Sequence, residues 1–160
     1  MKKITTLAAV VAVQATLVGA AVAPQLSARV TGDTYQFRVA PLDPIDPFRG
    51  AYVTLDYPDL RPDPVLEPGL LFPGEDVSGP LFVRLRQDGE VWVLADTTRT
   101  RPHDGPYLTC HEYLTQCGIE SFFLPQDEAA EMEDVLRDGA IAEVRIDSRG
   151  HAALIDVRAP

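Results

Sequence analysis

The sequence predicts a mainly β domain with one short helix, an α+β arrangement built as a small antiparallel sheet, sandwich or open barrel, behind an N-terminal hydrophobic helix. Three observations predict it. From Tyr35 onward, apolar and polar residues alternate with a period of two in run after run. Two of those runs flank Asp88-Gly89, a dipeptide typical of tight hairpins. Among the later residues, only 127–138 have the apolar spacing and end residues of a helix. At 160 residues the chain holds one domain with a real core and not two.

The first element is apolar. After Met1-Lys2-Lys3, the stretch from Ile4 to Ala28 carries no charge, and residues 4–23 are long enough to cross a bilayer as a helix. Two readings of residues 1–28 stay open. A signal peptide fits the basic start, the apolar run and the small residues near its end. Its tidiest cleavage site, Ala21-Val22-Ala23, is followed by Pro24, although Val18-Gly19-Ala20 and Gly19-Ala20-Ala21 are also usable. An uncleaved signal-anchor fits the length, despite Gln14 and a content rich in Ala and Thr, and is the reading we favour. Both place Lys2 and Lys3 in the cytoplasm and residues 29–160 outside it, in the periplasm or, after cleavage, as a secreted domain.

Residues 34–40 then alternate as a half-buried strand through Tyr35, Phe37 and Val39. Pro41, Pro44 and Pro47 break it, and strand character resumes over 51–57. Residues 58–80 hold six of the fourteen prolines and read as a long loop, with Val65-Leu66 and Leu70-Leu71-Phe72 pinning it to the body. The Asp88-Gly89 hairpin joins runs 81–87 and 90–95. A further strand pair is expected over 107–114 and 118–124. In the helix, Asp127 caps the start, Glu128 and Glu131 suit the first turn, and Gly139 suits the C′ position. A last hairpin joins residues 141–146 to 151–157 through Asp147-Ser148-Arg149-Gly150.

Charge narrows the partners. The formal net charge is −10, and beyond Lys3 every basic residue except histidine is an arginine. Such a surface repels phosphate backbones and anionic lipid headgroups, so no nucleic-acid partner is expected. Cys110 and Cys117, seven positions apart across a turn, are expected to form a local disulfide in an oxidising compartment.

No constellation composes an active site. Asp43 and Asp46 offer half of a calcium site, but each precedes a proline, and aspartate before proline is ordinary turn chemistry. Arg49 is expected to bond one of these carboxylates and hold the loop, with Gly50 allowing the bend. His103, Asp104, Cys110, His111, Glu112 and Cys117 include soft-metal ligand types without zinc spacing, and in a strand Cys110 and His111 point apart. That divergence also disfavours a Cys110/His111 nucleophile pair. No metal or cofactor is therefore expected. Tyr52 and Tyr57 lie on opposite faces of a regular strand, or both enter the core if a bulge separates them.

Asp43-Pro44, Phe48-Arg49 and Gly50-Ala51-Tyr52-Val53-Thr54-Leu55-Asp56-Tyr57 resemble the GDYxxLxY membrane-anchored proteins, whose motif reads D-P-x-D-x-x-R-G-D-Y-x-x-L-x-Y. Residues 118–125, Gly-Ile-Glu-Ser-Phe-Phe-Leu-Pro, resemble that family's G-I-E-x-Y-F-V-P segment. One position departs: Ala51 stands where the family has an acid. The resemblance supplies no activity. It implies an anchored accessory subunit beside a multi-pass membrane protein, with Asp43, Asp46, Arg49, Gly50, Tyr52, Tyr57 and Glu120 as a binding surface. The alternative is a metal-dependent or hydrolytic enzyme built on the Asp43/Asp46/Arg49 loop. A faint likeness of Arg49-Gly50-x-Tyr52-Val53 to a signal-peptidase strand carries no Ser/Lys chemistry, because no lysine follows Lys3.

Overall fold

A computed structural model describes residues 2–41, 52–61, 79–111, 116–123, 132, 136 and 139–160, with the backbone alone for residues 2–5 and Tyr52. Its first element is the helix α1 (Lys2–Thr31). The helix outruns the expected hydrophobic segment by a turn and passes through Pro24. An apolar helix tolerates that one lost backbone bond. Within residues 6–31 the most apolar stretch of 18 residues has a mean hydropathy of 2.0 and packs against nothing in the protein.

Eight strands follow among the described residues: β1 (Asp33–Pro41), β2 (Tyr52–Asp56), β3 (Leu81–Asp88), β4 (Val91–Thr98), β5 (Tyr107–Cys110), β6 (Ser121–Phe123), β7 (Ala140–Ile146) and β8 (Ala152–Arg158). They form two antiparallel sheets, ordered β6-β2-β1-β7-β8 and β4-β3-β5, in a nearly closed, barrel-like wrap. The mainly β class is therefore observed. Alternation makes the core: β7 buries Ala140, Ala142, Val144 and Ile146 and turns the residues between them outward. Phe37 and Val39 of β1, Val53 and Leu55 of β2, Val83 and Leu85 of β3, and Leu108 of β5 join the same apolar cluster, so both sheets share one core. Phe37 meets Tyr57 edge to face at 6.1 Å, a geometry that aromatic quadrupoles favour.

Both expected hairpins form. In the first, Asp88 pairs with Val91, so the two turn residues are Gly89 and Glu90, one position later than Asp88-Gly89. In the second, Ala152 opens the return strand and His151 belongs to the turn. The expected pairing of 107–114 with 118–124 is not found among the described residues. β5 pairs with β3, and β6 pairs with β2 in the other sheet. The turn between the two segments is closed by the His111–Gln116 bridge, beside the Cys110–Cys117 disulfide, whose Cα atoms are 4.1 Å apart. Closing the chain so tightly there leaves β6 free to cross to the second sheet.

Of the expected helix over 127–138, the described residues are Met132 and Leu136. Both are helical and Leu136 is fully buried. Gly139 donates its N–H to the Leu136 carbonyl (3.0 Å), as at a helix end. Within the proline-rich loop, Pro58–Leu60 form a 3₁₀ turn that buries Leu60. The apolar pins at 65–66 and 70–72 lie outside the described residues.

Candidate functional site

Two polar nodes organise the ends of the strands. The first joins the two motif segments. Tyr57 follows β2 directly and is buried, and its hydroxyl donates to the Ile119 carbonyl at 2.7 Å. Leu55 N–H donates to the Glu120 carbonyl at 2.8 Å. The Glu120 carboxylate folds back on its own turn, accepting the backbone N–H of Cys117 and, at 3.0 Å, that of Gly118. Burial, and secondarily the Glu120 charge, push the Tyr57 phenol far above its ordinary pKa, so it remains a hydrogen-bond donor. Tyr57 and Glu120, expected on a binding surface, lock β2 to the disulfide turn.

The second node joins α1 to the domain. The Ser27 hydroxyl donates to Asp147 Oδ2 (2.6 Å), and His151 Nδ1 lies 3.0 Å from the same oxygen. Asp147 Oδ1 accepts the N–H groups of Arg149 (2.8 Å) and His151 (3.0 Å). Burial pushes the Asp147 pKa up, but the bonds from Ser27, Arg149 and His151 outweigh it and hold the carboxylate below its ordinary value. Arg145 caps the helix, donating to the Gly32 carbonyl (2.7 and 3.0 Å) and to that of Arg29. Arg29 reaches the Leu154 carbonyl (3.3 Å), and Gln25 that of Gly118 (3.3 Å). Gly32 fits because a Cβ there would lie 2.5 Å from the Ala28 oxygen and 2.8 Å from the Ile146 carbonyl carbon. The same β7–β8 turn is stitched to β5 by Thr109 N–H to the Gly150 carbonyl (2.8 Å) and Tyr107 hydroxyl to the Ser148 carbonyl (3.1 Å).

Sequence reasoning gave the 147–150 turn but no role to Ser27, Asp147, Arg145 or Gly32. A glycine one residue past a long helix was a legible cap signal. The Ser27–Asp147 bond, 120 positions apart in the chain, left no local trace.

Asp43, Asp46, Arg49, Gly50 and Ala51, with the expected Arg49 clamp, lie outside the described residues. Tyr52 is described only as backbone of β2. Cys110 and Cys117 are bonded to each other, which removes both thiolates as metal ligands or nucleophiles. Among the described residues no group of three or more His, Cys, Asp and Glu is placed to hold a metal ion. His103 and Asp104 instead line an open polar groove of ≈ 490 Å³ with Arg84, Asp96 and Arg101.

A family model described as GDYXXLXY protein matches residues 14–157, nearly the whole chain. Comparison with curated proteins and with solved structures gives no match.

Proposed function

The chain belongs to the GDYXXLXY family, and from that premise we propose that it is a membrane-held accessory domain, working outside the cytoplasm beside a multi-pass membrane protein. One observation carries the reading: α1 is exposed and apolar along residues 6–23, while its last two turns are bonded into the domain. Leu7, Val11, Leu17, Val18 and Val22 are each more than half exposed, and a surface of that size and character needs a lipid cover. Cleavage after Ala23 would leave residues 24–31 as a short docked stub. Retention makes α1 an anchor whose end is held by the domain. The disulfide supports an oxidising, extracytoplasmic setting.

The family motif fits an accessory role. Leu55, Tyr57, Ile119 and Glu120 hold one another, so the motif's later half builds a platform. The loop of Asp43, Asp46 and Arg49, directly before β2, is the part left for a partner. Chemical cross-linking in intact membranes, followed by affinity capture of the full chain, tests this. A multi-pass protein captured in constant ratio, and lost on Arg49→Ala, is expected. Recovery of the chain alone from saturating cross-linking contradicts it.

A further inference from the structure

We infer that the β7–β8 turn and the exit of α1 form a basic collar that sits among anionic phospholipid headgroups, giving the domain a second hold on the membrane. The inference rests on the anchored reading of α1 and adds a surface and a partner to it.

Helix geometry sets the depth. At about 1.5 Å per residue, roughly 20 residues cross the ~30 Å hydrocarbon layer. Counted from Ile4, behind Lys2 and Lys3, the layer ends at Ala23. Residues 24–29 then run through the headgroups. The bonds of Gln25 to Gly118 and of Ser27 to Asp147 put those domain residues at the same level. The contact is built into the fold, because Arg145 and the close fit of Gly32 fix the helix against β7.

Charge matches that depth. Arg29 and Arg145 lie at the helix exit, and Arg101 and Arg149 at the β7–β8 turn bonded to it through Ser27 and Asp147. Arg29 and Arg145 bond backbone carbonyls, and Arg101 bonds the Tyr107 hydroxyl and the Ser148 carbonyl. The exposed Arg149 guanidinium has no hydrogen bond or ion pair among the described residues. None of the four is neutralised by a carboxylate among those residues. Elsewhere Arg38, Arg61, Arg84 and Arg158 each face one, Asp59, Asp56, Asp96 and Glu143, while Arg99 bonds the Gly79 carbonyl and Arg86 has no ion pair among the described residues. Of the nearby acids, Asp147 is occupied by four bonds, Glu120 folds back on the Cys117 and Gly118 N–H groups, Asp33 opens β1, and Asp104 lines the groove beside Arg101. The domain, at −12 once Lys2 and Lys3 are set aside from the chain's −10, would otherwise be pushed from an anionic surface, so four unneutralised arginines around this turn are complementary to lipid phosphate.

The test uses the full chain in lipid nanodiscs, spin-labelled at Ser148→Cys in the turn or at Glu90→Cys in the distal β3–β4 turn; the native cysteines are bonded and do not react. Relaxation by a water-soluble nickel chelate reads depth. In discs of phosphatidylcholine with phosphatidylglycerol, the label at 148 should lose most of the relaxation seen at 90. Arg149→Ala, or pure phosphatidylcholine, should restore it. For Arg149→Ala the ratio of seated to lifted domain should shift about fivefold, the equivalent of ~1 kcal/mol per arginine at an anionic surface. A label at 148 as accessible as that at 90, in discs that hold the chain, overturns the collar and leaves the anchor standing. Protection unchanged by Arg149→Ala and by lipid charge overturns it equally. A chain that does not enter the discs overturns the anchor and the collar together.

Discussion

Asp147 shows how a buried charge is kept. It is 6% exposed, yet four donors converge on its two oxygens and none of its polar capacity is wasted. Asp147→Asn turns an amide N–H₂ toward donors, and should destabilise the full chain in detergent by about 1–3 kcal/mol. The pH dependence follows from the lowered pKa. Such a carboxylate contributes stability that is complete above its unfolded value, ordinarily 3.8, and is lost as pH falls through the lower folded value. The difference between the protein and Asp147→Asn, read from thermal melts, should hold from neutral pH to about 4 and shrink below it. A gap that persists undiminished at the acid end contradicts the assignment. Tyr57 makes a simpler case. Tyr57→Phe removes one donor and strands the Ile119 carbonyl, a loss of about 1–2 kcal/mol with little change of packing, measurable by the same melts.

The elements divide by how local their causes are. The two hairpins were legible because alternation and turn residues lie within a dozen positions of each other, and even there the first turn fell one residue late. The disulfide was legible from spacing and compartment. The crossing of β6 to the sheet of β2 was not, because a long-range pairing leaves no mark in the 107–124 window where a hairpin is the local default. The motif was legible as a family mark but not as a lock between Tyr57 and Ile119, which only the folded geometry brings together. Two predictions belong here. Replacing Cys110 and Cys117 by serine opens a short loop and should cost about 2.5 kcal/mol by chain entropy, seen as a lowered denaturant midpoint. Gly32→Ala drives a methyl into the Ala28 and Ile146 backbones and should cost about 1–3 kcal/mol while loosening α1 from β7. Amide exchange should show that loosening as a lowered protection factor at position 32, whose N–H donates to Ala28 in the intact junction, and an unchanged protection factor there would contradict the docking.

The whole molecule is a helix and a β domain made continuous by one junction. Hydrophobicity alone gave the helix, and it left cleavage open beside the favoured reading of retention. The junction adds what composition lacked: residues 25–32 are partners of β7, β8 and the disulfide turn, so the end of the apolar segment belongs to the folded domain. The central claim is that the helix stays attached and holds the domain at the membrane. Intact mass spectrometry of the chain extracted from membranes tests it most directly. A single species that retains Lys2, Lys3 and the whole of α1 is expected. A mature chain beginning near Ala21, Val22 or Pro24 contradicts it.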